Sequence, residues 1–140
     1  MEKIELNTGF FAHVVLNLTP KQSFDHSKKG AIIVDVREIY MNSFKMFYAD
    51  KVVYLPYSEL EKSYRELPVK ACLIFADTVG LRSRESVLFM KANGYENVVN
   101  MAGGMVDWER DGLPVTTDIN SRLSGSCICQ LKPREGKRKT

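Results

Sequence analysis

An α/β fold, with a parallel sheet covered by helices on both faces, is the class that the sequence predicts. Two segments, 31–36 and 70–77, are almost continuously apolar, which is typical of strands buried on both faces of a sheet. Segments with a helical pattern alternate with such strands along the chain. The chain has 140 residues, 44% of them apolar and 26% charged, so it can bury one sizeable core but not two.

The first part of the chain predicts one helix and two strands. Thr19 as N-cap and Pro20 at the first helical position begin a helix that ends at Gly30. The strand "AIIVDV" (31–36) follows, and "KVVYLP" (51–56) is a second, shorter strand that ends at its proline.

A helix and the third strand come next. The segment "YSELEKSYREL" (57–67) predicts a helix capped by Ser58, with apolar residues spaced along one side. The third strand is "KACLIFAD" (70–77), whose apolar character predicts a central position in the sheet.

The remaining pattern predicts two helices around a fourth strand. "RSRESVLFMKANG" (82–94) reads as a helix stopped by its glycine. We expect its buried side to be formed by Val87, Leu88 and Met90. A strand at 97–101 and a short helix at 103–112 complete the alternation.

Two loops follow strands at the edge of the sheet where α/β proteins bind ligands: "DVRE" and "DTVGLRS". In the second, Gly80 permits a backbone turn in which successive N–H groups point inward as an anion-binding nest. A helix that begins near Arg82 brings the positive end of its dipole to the same place. We call residues 77–83 the cradle loop. A cysteine at its head would have a depressed pKa, yet the chain has Asp77 there.

The cradle loop resembles the active loop of rhodanese-like sulfurtransferase domains, Cys-x-x-Gly-x-Arg-Ser/Ala. Gly80, Arg82 and Ser83 match position by position, and Asp77 stands where the family has its catalytic cysteine. The family's Asp-x-Arg motif is matched by "DVRE", and its closing strand, double glycine, tryptophan and Gly-Leu-Pro by "NVVNMAGGMVDWERDGLPV". The resemblance covers residues 12–117 and implies a single domain with a five-stranded, mainly parallel sheet. Residues 118–140 are then a C-terminal tail.

The resemblance also implies roles for individual residues. Asp77 occupies the nucleophile position, although a carboxylate cannot carry a persulfide, and Arg82 braces the loop or contributes its guanidinium. Asp35 and Arg37 are expected either to line the pocket or to form a structural ion pair. The anion-binding loop would be formed by Thr78, Val79, Gly80, Leu81 and Ser83. The chain departs from the family before the second strand, where Tyr48 stands at a histidine position and the usual glycines are absent.

Asp77 has two interpretations. An aspartate is short, accepts several hydrogen bonds and favours helix N-termini, so its carboxylate can fill the cradle loop as a built-in anion. The loop would then be catalytically inactive or serve partner recognition. Alternatively, Asp77 is a general base or a metal ligand, but no histidine lies near it in the sequence. We expect neither a metal nor a cofactor.

The thiols fall into two groups. Cys72 lies in the predicted third strand and is expected to be a small apolar filler. Cys127 and Cys129 lie in the tail, just before a basic cluster that would lower their pKa modestly. About 14 residues separate Cys129 from Val115, near the end of the domain, which suffices to reach across it. Either thiol, Cys129 above all, can carry sulfur in place of the loop cysteine; otherwise the two are an incidental or metal-binding pair.

The distribution of charge and the cysteine content indicate where the protein is located and what it can bind. Residues 132–140 hold five Lys or Arg and one Glu, so from a total of +3 the rest of the chain sums to −1. The basic tail could bind nucleic acid or an acidic partner, or simply be a solvated end. An odd cysteine count, no signal-like start and no apolar run of membrane length predict a cytoplasmic protein without membrane contact.

Three functions follow as hypotheses. The first is a rhodanese-like binding or sensing module for a small sulfur species or a protein partner, without conventional sulfurtransferase activity. The second is a persulfide carrier or thiosulfate sulfurtransferase-like enzyme that uses Cys127 or Cys129. The third is a binder of nucleic acid or an acidic partner through the basic tail.

Overall fold

A six-stranded sheet, five strands of it parallel, is the centre of the structure. The structure is a computed structural model and describes residues 10–12, 15–38 and 45–117. The strands of this sheet are β1 (Phe10–Ala12), β2 (Val15–Leu18), β3 (Ile32–Asp35), β5 (Val52–Tyr54), β6 (Leu73–Ala76) and β7 (Val98–Met101). A separate antiparallel pair is formed by β4 (Met46–Phe47) and β8 (Val115–Thr116).

The strands lie in the order β1-β2-β7-β6-β3-β5, so that β6 and β7 are central. The predicted five-stranded parallel sheet is confirmed, and β1 adds an antiparallel strand at one edge. Strands β3 and β6 are buried along their whole length, as their continuous apolar sequences predict.

Helices cover both faces of the sheet, as predicted. They are α1 (Pro20–Ser27), α2 (Leu60–Ser63), α3 (Leu81–Ala92) and α4 (Gly104–Arg110), and short 3₁₀ turns flank α2. Side chains of α1 and α4 pack with one apolar cluster and those of α2 and α3 with another, on opposite sides of the strands. Trp108 of α4 anchors the first cluster, because its ring meets Phe24 and Phe47 edge-on at 5.6 and 5.1 Å and its indole N–H donates to the Pro114 carbonyl.

The start of α1 forms as its sequence predicts. The Thr19 hydroxyl accepts from the Gln22 N–H at 3.1 Å, and the Gln22 side chain accepts from the Thr19 N–H at 2.9 Å. This reciprocal capping box satisfies two backbone donors that a helix N-terminus otherwise leaves unpaired.

Two local expectations are wrong. Ser58 does not cap a helix; its N–H and hydroxyl both donate to the Glu38 carboxylate. Leu88 is 39% exposed, because the inward side of α3 follows the helical spacing of Ser83, Ser86, Val87 and Met90. Two serines, Ser83 and Ser86, thus take inward positions in the first half of the helix.

A buried ion pair follows β3. The Arg37 guanidinium donates to both carboxylate oxygens of Asp35, at 3.0 and 2.9 Å, and both side chains are almost completely buried. Arg37 also donates to the Lys45 carbonyl at 3.0 Å and lies over the Phe47 ring. The pair therefore joins the end of β3 to the segment that contains β4.

Replacing Asp35 by Asn should destabilise the fold strongly, because the Arg37 charge would remain buried without its counter-ion. We expect the free energy of unfolding in urea to fall by about 3–5 kcal/mol. The control is Glu109→Gln, which removes the partner of Lys45 in an exposed ion pair and should cost less than about 1 kcal/mol. Similar losses in the two variants would contradict a structural role for the buried pair.

Candidate functional site

The cradle loop closes around the side chain of Asp77. One carboxylate oxygen accepts the backbone N–H of Gly80, and the other accepts those of Arg82 at 2.8 Å and Ser83 at 3.3 Å. Asp77 is only 6% exposed. The carboxylate thus sits against the first turn of α3, where backbone donors and the helix dipole both favour a negative charge.

Gly80 makes this turn feasible. Its φ is +100°, in the left-handed region that side chains disfavour. A β-carbon there would also come within 3.2 Å of the Gly103 nitrogen and 3.4 Å of the Met101 carbonyl oxygen. The glycine therefore provides the turn and a close approach to the end of β7.

Helix α4 holds the loop from its other side. The Asp77 and Thr78 carbonyls accept the N–H groups of Met105 at 2.8 Å and Val106 at 3.1 Å. Gly104, at φ +55°, allows this approach, since a β-carbon on it would lie 2.3 Å from the Asp77 carbonyl oxygen. The double glycine of the sequence thus brings α4 against the cradle loop.

A buried polar network lies beneath the loop. The Ser83 hydroxyl donates to the Asn100 carboxamide, which in turn donates to Asn17 at 2.8 Å and to the Gly80 carbonyl at 3.4 Å. All three side chains are buried. The network ties the start of α3 to β2 and β7, and the sequence reasoning missed both asparagines. The only signal was a polar residue near the end of each of two apolar strands.

The structure brings together some of the predicted site residues and separates others. Asp77, Gly80, Arg82 and Ser83 meet through the carboxylate, although Arg82 takes part only through its backbone N–H. Its exposed guanidinium lies over the Tyr57 ring, 5.6 Å from the centroid. Thr78, Val79 and Leu81 are exposed to solvent.

Other candidates lie away from the loop or outside the described residues. Asp35 and Arg37 form the buried pair described above and line neither of the two recesses described below, so a pocket-lining role for them stays a prediction. Tyr48 is exposed. Cys127 and Cys129 lie outside the described residues, as does the basic cluster.

Two recesses flank the cradle loop, and Leu81 borders both. The first, of about 190 Å³, is lined by Asn17, Val79, Gly80, Leu81, Arg84, Asn100, Ala102 and Gly103. The second, of about 250 Å³, is lined by Tyr57, Leu81, Arg82 and Glu85.

Cys72 does not offer a reactive thiol. Burial raises its pKa from the ordinary 9.0 to about 11, so the thiol is protonated at neutral pH. It packs with the apolar cluster that contains Trp108, which fits the predicted filler role. Within residues 10–12, 15–38 and 45–117, no three or more His, Cys, Asp or Glu side chains are grouped to hold a metal ion.

Comparison with known proteins gives the family. The profile of the Rhodanese-like domain family matches residues 19–111. The chain belongs to the rhodanese-like domain family. It is 31% identical over 104 residues to the thiosulfate sulfurtransferase GlpE of Haemophilus influenzae (strain PittEE), which covers 71% of this chain and 93% of that protein.

Two further similarities extend the comparison. The putative sulfur carrier protein YrkF of Bacillus subtilis is 34% identical over 88 residues, which cover 63% of this chain and 46% of that protein. A rhodanese-related protein from Thermoplasma volcanium has the same fold, with a TM-score of 0.66 and 24% identity over 73% of this chain and 98% of that one. Among the described residues, no helix has the length and apolar character needed to cross a membrane.

Replacing Gly104 by Ala should destabilise the protein far more than replacing Gly112 by Ala. Both glycines have a positive φ, +55° and +75°, so both substitutions carry a similar backbone penalty of about 1–2 kcal/mol. Only at Gly104 would the new β-carbon also collide with the backbone of the cradle loop. Urea unfolding of the two variants measures the difference, and equal losses would show that α4 does not press against the loop as described.

Proposed function

We propose that this chain is a rhodanese-like protein in which Asp77 takes the place of the family's loop cysteine, and that its domain acts as a binding or sensing module. The observation that carries this proposal is the occupation of the cradle loop by the Asp77 carboxylate. Backbone donors that would otherwise stabilise a bound sulfur anion are already paired within the chain.

The chemistry of sulfur transfer explains why this substitution matters. To take sulfur from thiosulfate, a thiolate attacks the outer sulfur atom; the S–S bond of thiosulfate breaks, sulfite leaves with the bonding electrons, and a persulfide remains on the cysteine. A carboxylate forms no persulfide. Cys72 does not replace the missing nucleophile, since its pKa is about 11 and it precedes β6, at the opposite end of that strand from Asp77.

A filled cradle loop favours a protein partner over a small sulfur anion. An empty nest would leave buried N–H groups unpaired, at about 1–3 kcal/mol each, and Asp77 removes that cost without any ligand. The outer side of the loop presents Thr78, Val79 and Leu81 to solvent. These exposed side chains, two of them apolar, are suited to recognition of another protein surface.

A second candidate is a persulfide carrier that uses the tail thiols. The similarity to the putative sulfur carrier protein of B. subtilis favours it, together with the Cys127–Cys129 pair just before Lys132 and Arg134. In that case the sulfur atom would be bound by a tail thiolate and the cradle loop would remain occupied by Asp77.

Intact-mass measurement after thiosulfate treatment separates these functions. We expect the chain with Cys127→Ser and Cys129→Ser to gain no sulfur, because Cys72 is protonated and Asp77 forms no persulfide. Adding Asp77→Cys to this double variant should allow the gain of one sulfur atom, since the backbone donors would then stabilise the introduced thiolate. Cyanide should remove that sulfur as thiocyanate and restore the original mass.

The other outcomes are equally informative. Sulfur gained by the wild-type chain and lost in Cys129→Ser would select the carrier function. Sulfur gained by the double variant with Asp77 intact would contradict both functions. If Asp77→Cys gains none, the cradle loop does not stabilise a sulfur anion.

A further inference from the structure

Arg84 lies beside the cradle loop and has no counter-ion among the residues that the structure describes. Its Nε is buried and has no hydrogen-bond partner, and in the part of the chain that the structure describes its guanidinium forms no ion pair. Buried polar groups in folded proteins are almost always paired, so the unpaired Nε of this half-buried arginine points to a group supplied from outside.

Arg84 lines the recess of about 190 Å³ between the loop and the turn after β7. The other polar side chains of this recess, Asn17 and Asn100, already bond to each other, and Asn100 also bonds to Ser83. Arg84 is therefore the charged side chain that can contact a ligand in this recess, and its positive charge favours an anionic ligand.

Apolar side chains surround this recess on its solvent side. Val79 and Leu81, both at its edge, are 51% and 61% exposed. Val106 is 48% exposed and is tied to the loop by its N–H bond to the Thr78 carbonyl. These three residues are among the most exposed large apolar side chains of the described chain. Val79 and Leu81 line the same recess as Arg84, and Val106 lies beside the cradle loop.

We propose that this recess docks an acidic side chain of a partner protein, flanked there by apolar residues. A guanidinium binds a carboxylate through two parallel hydrogen bonds, and the apolar rim would be covered by the neighbours of the acidic residue. A free small carboxylate would leave Val79 and Leu81 exposed. The chain's own residues 132–140 carry the wrong charge for this site. The inference rests on the proposed binding function and names its partner class.

NMR titration with a blocked pentapeptide tests the proposal. The peptide has a central aspartate with one valine and one leucine on each side. The control peptide has asparagine in place of this aspartate. In the full chain, we expect the aspartate peptide to shift the Arg84 Nε–H resonance saturably and to bind at least tenfold more tightly than the asparagine peptide. Arg84→Gln should lose this tenfold preference for the aspartate peptide. The control is Lys91→Gln, which removes an exposed cation on the same helix and should change the affinity less than twofold.

Three results would overturn the proposal. The first is equal affinity of the wild-type chain for the aspartate and asparagine peptides. The second is an affinity of Arg84→Gln for the aspartate peptide equal to that of wild type, and the third is an isobutyrate affinity as high as that of the aspartate peptide. The last result would make the recess a site for small carboxylates. Arg84→Gln should unfold at a urea concentration no lower than wild type, since an unpaired buried donor is removed. Because these readouts measure binding, they are independent of whether the chain transfers sulfur.

Discussion

The hydrogen bonds from the start of α3 to the Asp77 carboxylate are the interaction on which the site depends. A buried carboxylate is costly unless donors surround it, and here three backbone N–H groups do so. The same donors would be unpaired without it. Each side therefore compensates the other, and these donors are paired within the chain.

The rest of the site supports this arrangement from three directions. Helix α4 donates two N–H groups to the loop carbonyls, Gly104 permits their close approach, and Asn100 joins Ser83 and Gly80 to the sheet. The parallel sheet makes this possible, because β6 and β7 are neighbours. The cradle loop follows β6 and the double-glycine turn follows β7, so both lie at the same edge of the sheet. The cradle loop is therefore hydrogen-bonded to two neighbouring parts of the fold, α4 and the end of the sheet.

The sequence predicted the parts of the structure that local chemistry decides. Thr19 and Gln22 satisfy each other within one turn, and the glycine and helix start in the cradle loop sit beside Asp77 in the chain. The Asn17–Asn100 hydrogen bond joins residues 83 positions apart, so no local sequence pattern predicts it. Likewise, the direction of the Arg82 side chain depends on Tyr57, which only the fold brings near. Leu88 was placed inward on its apolar character, although its helical position faces solvent.

Thermal unfolding of Asp77→Ala in sulfate and in chloride, at matched ionic strength, tests most directly whether the carboxylate fills the cradle loop. Without Asp77 the backbone donors are unpaired, so the variant should be less stable than wild type, and sulfate should restore stability saturably by binding to them. Wild type and the control Asp111→Ala, an exposed position, should show only the general salt effect of sulfate. If Asp77→Ala is as stable as wild type, or responds to sulfate no more than wild type does, the carboxylate does not occupy the cradle loop as an internal anion.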